Sequence, residues 1–378
     1  MPTNRRYLPS LTPPRVVLLG AGASRGGLAN AAIPPPVDSE FFAVANQLRG
    51  HGTPGLTKRV LRTVWDLYAR IDGIGLEEYY RDVETRASIG RIAKSVGKPK
   101  EWSGRKEDLE ELIRRVYIQT TTKEDATGRN PLKSQAHEAI LKGLRSGDTV
   151  MTFNYDLVIE ESFGSTPVWN PSDGYGTRIP GVTKDWPRIW LEKRNLPRSA
   201  KSEILLLKLH GSLGWAPYQN GTIKLKPRPY LVRKGKPESV SVLPPGWNKR
   251  IDLNPYKLFW REARLRLQKC KSLLIVGYSL PDTDLLARAL FAEVVRTRSA
   301  GDYLDDFVVV DPDPEVRRKL LKLFTSALGP LCRIQQYDFI EDLVPVAAAP
   351  SSLPLQRTAP PRALSVQPQR SAWRRRRR

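Results

Sequence analysis

The sequence predicts an α/β protein built on a parallel sheet, and three observations carry that prediction. From residue 256 to residue 337, helical and strand patterns alternate, the order that right-handed crossovers impose. The strand patterns are continuous Val, Leu and Ile runs, as expected of strands covered on both faces. Each run ends in small or polar residues, the kind of chain found where such a sheet meets a ligand.

Taken in order, "RVVLLG" (15–20) reads as the first strand. Helical patterns follow at 36–49, where Asp38 or Ser39 can cap, and at 57–71, 76–96, 106–119 and 131–145. "DTVMTF" (148–153) is the second strand, running through Asn154 into a short helix from Tyr155. Residues 165–202, rich in Trp, Pro and Arg, read as irregular. "EILLLKLH" (203–210) is the third strand, with hairpin-like basic material to about residue 250. The alternating part then gives helix 256–270, strand 272–278, helix 283–298, strand 306–311, helix 314–328 and strand 333–337. The expected organisation is an extension (1–14), a domain (15–344) and a tail (345–378). The domain carries a helical insert at about 31–146 and an irregular basic insert at about 165–250. The tail is rich in Pro, Ser, Ala and Arg without periodicity and reads as disordered.

A chain of 378 residues can bury a large core. Its formal charge of +23 is uneven: residues 346–378 hold eight arginines and no acid, and residues 224–250 hold eight basic residues against Glu238. Such blocks attract phosphate, so a nucleic acid is one candidate partner, although a solvated tail and a basic loop explain the same pattern. Cys270 and Cys332 are too few for a four-cysteine zinc module or a disulfide framework, and fit a reducing cytoplasm. Arg5 and Arg6 ahead of "VVLLGAGA" imitate a secretory signal, but Pro13, Pro14 and Arg15 interrupt it. No run approaches the ~20 apolar residues of a membrane span, so a soluble protein is expected.

The strand ends hold the candidate chemistry. They are Gly20-Ala21-Gly22-Ala23-Ser24, Asn154-Tyr155-Asp156, His210-Gly211-Ser212, Gly277-Tyr278-Ser279 and Asp311-Pro312-Asp313. Gly20-x-Gly22 alone is a weak dinucleotide signal, because the third glycine of the fingerprint would fall on Arg25. It reads either as a tight turn or as bare backbone receiving a pyrophosphate, with Arg25 adding a charge-assisted bond. Of three histidines, His51 and His137 lie in predicted loop and helix with no other candidate site residue beside them and read as incidental. His210 emerges at a strand end, where an imidazole titrating near ~6.5 can act as a general base.

Together "GAGAS" (20–24), "TFNYD" (152–156), "KLHGSLGW" (208–215), "LLIVGYSLPDTD" (273–284) and "VVVDPDP" (308–314) resemble, in that order, the divergent sirtuin-like domains of prokaryotes. The resemblance implies a Rossmann-like domain that binds NAD. It assigns Gly20, Ala21, Gly22 and Ser24 to the first cofactor loop, and Gly277 and Ser279 to the second phosphate and ribose loop. Asn154 would orient a water or the ribose hydroxyls, Asp156 would hold the nicotinamide carboxamide, and His210 would be the catalytic histidine. Asp311 stands where the family places an asparagine on the adenosine ribose. The departures also inform. The zinc cysteines of deacylating sirtuins are missing, Ile33-Pro34-Pro35-Pro36 replaces their cofactor-loop continuation, and 55 residues separate Asn154 from His210. The shielding aromatic is unplaced, with Phe41 and Phe42 as candidates. These features are similar to the family's NAD-consuming, anti-phage branch.

The expected activity is therefore metal-free NAD hydrolysis to nicotinamide and ADP-ribose. The alternatives are an NAD or ADP-ribose sensor and a nucleic-acid-associated defence subunit without hydrolysis. Toxic NAD consumption implies restraint, by a homo-oligomer or by a separate ATPase, nuclease or Argonaute-like chain.

Overall fold

The computed structural model describes residues 11–50, 74–92, 99–125, 128–163, 169–177, 179, 201–218, 222–226, 241–243, 251–299 and 301–343. In chain order it contains β1 (Arg15–Leu19), α1 (Ala21–Gly27), α2 (Phe41–Gly50), α3 (Leu76–Ile92) and α4 (Pro99–Thr121). Next come the hairpin β2 (Thr122–Asp125) and β3 (Gly128–Pro131), α5 (Gln135–Lys142), β4 (Thr149–Thr152) and α6 (Val158–Ser162). Then follow β5 (Leu205–Lys208), β6 (Gly211–Ser212), β7 (Trp215–Pro217), β8 (Ile223–Leu225) and β9 (Ser241–Val242). The chain closes with α7 (Tyr256–Lys269), β10 (Ser272–Val276), α8 (Leu285–Thr297), β11 (Leu304–Val310), α9 (Pro314–Phe324) and β12 (Leu328–Tyr337).

Six strands form one sheet in the order β12-β11-β10-β1-β4-β5, and every pairing in it is parallel. Numbered among themselves, these six run 3-2-1-4-5-6, the order of doubly wound dinucleotide-binding sheets. The predicted α/β parallel sheet of Rossmann type is what the chain forms. β1, β4 and β10 are buried at every position, which explains their unbroken apolar sequences. In this topology the order reverses between β1 and β10, and a crevice opens at their carboxyl ends.

A second core joins α2, α3 and α4. Phe41 meets Phe42 edge to face at 5.3 Å, Phe42 meets Tyr79 at 5.5 Å, and Tyr117 meets Tyr155 at 6.0 Å. Tyr155 and Leu213 belong to this cluster although they follow the ends of β4 and β5, so α2, α3 and α4 pack onto the strand ends that carry these motifs.

Several elements differ from expectation. The helix expected over 314–328 stops at Phe324, and β12 begins at Leu328, not 333. The Thr325 hydroxyl donates back to Leu321 O at 3.0 Å, and Pro330 is accommodated on an edge strand. The short helix after Asn154 begins at Val158, because Asp156 Oδ1 accepts from Val158 N and turns the chain first. The β2–β3 hairpin was not foreseen, its sequence being polar on both faces. The helix expected over 57–71, the extension at 1–10, much of the irregular 165–202 stretch, residues 227–240 and 244–250, and the arginine tail from 344 lie outside the described residues.

Candidate functional site

The bare backbone of residues 20–22 is approached first by the chain itself. Gly20 N donates to Val276 O and Gly22 N donates to Gly277 O, both at 2.9 Å. A Cβ on Gly20 would lie 2.6 Å from Tyr278 Cα, and one on Gly22 would lie 2.8 Å from Gly277 Cα. Gly277 adopts φ +59, and a Cβ there would lie 2.6 Å from Gly22 Cα. The two glycine loops thus cross in contact at the switch point. Ala23 N is bonded to Gly20 O, so two N–H groups of the first turn of α1 are engaged inside the crossing. Ala21 opens that turn, and Ser279 stands exposed beyond the other loop.

Beside the crossing runs a buried hydrogen-bonded chain. Asn154 Nδ2 donates to Gly20 O at 2.8 Å and to Ser24 Oγ at 3.0 Å, and Ser24 Oγ donates to Asp156 Oδ2 at 2.9 Å. Thr152 Oγ1, bonded to Leu19 O, receives Asn154 N at 3.0 Å and sets its position. With both amide hydrogens engaged, the group Asn154 can offer a ligand is its carbonyl Oδ1. Asp156 is 1% exposed and already accepts from Ser24 and Val158. Its backbone carbonyl meets the Lys208 ammonium, which also donates to Glu160 at 2.9 and 3.1 Å. Lys208 and Glu160 are fully buried; burial pushes the Glu160 carboxyl upward, against the pull of the lysine.

His210 lies two residues past β5, as Asn154 lies two past β4, and the strands pair at Thr152 and Lys208. It is 3% exposed. Its ring centroid is 4.8 Å from Phe153 and 6.3 Å from both Tyr155 and Trp260. Phe153 stacks on Tyr278 at 4.5 Å. His210 Nε2 lies 3.5 Å from Asp284 Oδ2, an ion-pair distance, and the Tyr278 hydroxyl donates to the same oxygen at 3.0 Å. Asp284 and Tyr278 lie inside "LLIVGYSLPDTD", but sequence reasoning chose only Gly277 and Ser279 there. A carboxylate three residues after Pro281 reads as a helix cap, and nothing in the sequence aims it at a histidine.

Other expected residues fall elsewhere. Arg25 stands in the last turn of α1, and its half-exposed guanidinium pairs with Glu40 at 3.1 Å. Phe41 and Phe42 are buried in the helical core as packing residues. Asp311 directly follows β11, its carboxyl pushed up by burial while Oδ1 accepts from Asp313 N at 3.0 Å. His137 is not incidental. It is 1% exposed, its Nδ1 is 2.7 Å from Ser134 Oγ, and it fills the space beside Gly27 of α1. Burial lowers its pKa to about 4.

Among the described residues no group of three His, Cys, Asp or Glu side chains is placed to hold a metal, and no helix is long and apolar enough to cross a membrane. A cavity of about 280 Å³ opens at the amino ends of β1 and β4, lined by Arg15, Thr149, Glu262 and Cys270. It lies at the opposite end of the sheet from the crossing.

Residues 148–326 match the family model described as the SIR2-like domain. The match takes in Asn154, Asp156, His210, Gly277, Ser279 and Asp311 and begins after the glycines of β1–α1. No curated protein matches the chain. One similar solved structure is described as "Structural Basis for the Mechanism and Regulation of Sir2 Enzymes". It has 14% identity and a TM-score of 0.34, over 84% of this chain and 94% of that one. A second, "The Structural basis for Sirtuin Substrate affinity", has 12% identity and a TM-score of 0.33, over 89% and 92%. Likenesses this shallow fix neither a site nor an activity.

Proposed function

We propose that the protein, whose residues 148–326 match the SIR2-like family model, hydrolyses NAD at the bond between nicotinamide and ribose. The observation that carries this reading is the placement of Asn154 and His210. Both are buried polar groups two residues past neighbouring parallel strands, at the sheet end where the glycine loops cross.

Nicotinamide leaves as a neutral molecule from a cationic ring, and the ribose becomes oxocarbenium-like, so the site must tolerate positive charge and deliver water. His210 takes the proton of that water as its oxygen bonds to the anomeric carbon. Asn154 Oδ1 accepts the water's second hydrogen and aims it. Asp156 holds the carboxamide, and Asp311 accepts from the adenosine ribose diol. The two glycine loops, Gly20, Ala21, Gly22 and Ser24 with Gly277 and Ser279, brace one another and border the seat of the pyrophosphate. One water is consumed, nicotinamide and ADP-ribose leave, and the proton returns to solvent from His210.

The proposed setting is cytoplasmic defence against phage by NAD depletion, held in check by self-assembly or a partner chain. It is supported by the sequence motifs and by the two free cysteines. The test is incubation with NAD and chromatography of the nicotinamide products, with Asn154→Ala and His210→Ala alongside. Turnover by the wild type and loss of about 10²-fold or more in each variant is expected. Equal turnover by all three would refute the site. NAD binding without turnover by the wild type, under every assembly state tested, would favour a sensor instead.

A further inference from the structure

Asp284 occupies the N-cap of the thirteen-residue helix α8, yet its side chain makes no capping bond. Aspartate is among the strongest N-cap residues, and a cap is worth about 1 kcal/mol. This carboxylate is 1% exposed and is turned instead to the Tyr278 hydroxyl and to His210 Nε2. The turn that delivers it is unusual: Leu280, a bulky residue, sits at φ 50. Asp282 anchors the turn to Lys319 at 3.0 Å and also pairs with Arg288. On the far side the Thr283 hydroxyl donates to Glu77 of α3. A capping bond is forgone and a left-handed leucine is held, and the outcome is a carboxylate beside the imidazole.

We propose that Asp284 is the positioning residue of His210. It keeps the ring proton on Nε2 and leaves Nδ1 as the basic atom, and the Thr283–Glu77 contact ties that setting to the helical segment packed over the site. The proposal rests on the NAD reading for its purpose, but not for its geometry. Other ionisable groups around the pair are Tyr278, Tyr155 and, acting on those tyrosines, Glu77, Asp38, Tyr117 and Arg288. Phe153 and Trp260 complete an apolar wall. In such surroundings a carboxylate favours the proton on the ring nitrogen that faces it.

The experiment is nitrogen-15 NMR of the full chain labelled at histidine, without NAD, with His51→Gln and His137→Gln used for assignment. Wild-type His210 is expected as the Nε2–H tautomer. Asp284→Asn removes the charge that favours the imidazolium, so the His210 titration midpoint moves down while His51 and His137 stay put. Thr283→Val changes no charge and is expected to shift the His210 signals alone. If Asp284→Asn fails to fold, Tyr278→Phe takes its place: the carboxylate loses a competing donor and the midpoint moves up. A wild-type ring protonated on Nδ1, or a midpoint unmoved in the folded variant, overturns the proposal; silent His210 signals in Thr283→Val overturn the link to α3. Where the wild type turns over NAD, Asp284→Asn is expected to lower kcat by about a hundredfold with little change in KM. Because the titration needs no substrate, a wild type inactive in every assembly state tested would refute the NAD reading and leave this test intact.

Discussion

The glycine crossing makes a prediction whose size follows from two positions. Gly277→Ala places a methyl group at φ +59, which costs about 1–2 kcal/mol for a residue with a Cβ. It also drives that methyl against the backbone of Gly22 and Ala23, with Gly22 Cα at 2.6 Å, where ordinary contact begins at 3.4 Å. Backbone cannot rotate away as a side chain can, so overpacking adds about 1–3 kcal/mol. Separation of the loops also strains the Gly22–Gly277 bond, worth about 1 kcal/mol. The whole effect is about 3–6 kcal/mol. Gly147→Ala is the control: Gly147 has φ +91 but nothing within 4 Å of its Cβ, so only the conformational cost of about 1–2 kcal/mol applies. At about 2 °C per kcal/mol for a chain of this size, thermal melts should drop by about 6–12 °C in the first variant and about 2–4 °C in the second. Equal drops would show that the loops do not brace one another and would refute the reasoning.

Three further outcomes are expected. His137 is held at about 4 in the folded chain and titrates near 6.5 when unfolded, so the unfolded chain binds the proton first as the pH falls. Its contribution is complete above pH 6.5 and declines towards pH 4 by about 3 kcal/mol, and His137→Gln should flatten the acid limb of a urea-melt series. Lys208→Met strands Glu160 in the interior and should cost about 3–5 kcal/mol, while Lys208→Met with Glu160→Leu regains much of it; a harmless single variant would mean the pair bears no strain. Ser24→Ala cuts the link between Asn154 and Asp156 and should cost about 1–3 kcal/mol in chemical denaturation, a loss absent if water restores both bonds.

Much of the frame was legible because parallel strands buried on both faces must be continuously apolar and must end abruptly. That is why 15–20, 148–153, 203–210, 272–278 and 306–311 could be placed to within two or three residues. Partnerships were less legible. Nothing local says that Arg25 meets Glu40, that Ser24 reaches Asp156, or that Asp284 abandons its helix for His210. Each depends on segments far apart in the chain. His137 reads as incidental for the same reason: nothing in its own helix says that α1 and Ser134 close around it. The polar β2–β3 hairpin carried no hydrophobic period to find.

The middle of the sheet comes from outside the family-matched stretch. β1 separates β4 from β10, and the match starts at residue 148. A fragment trimmed to that match would keep two halves with a strand-wide gap between them, each half showing a raw edge of unsatisfied amides and carbonyls. Such edges recruit any extended peptide within reach. The five residues Arg15–Leu19 therefore act as a keystone: a truncation that spares Asn154, Asp156, His210 and Asp284 would still deliver a sticky, sundered sheet.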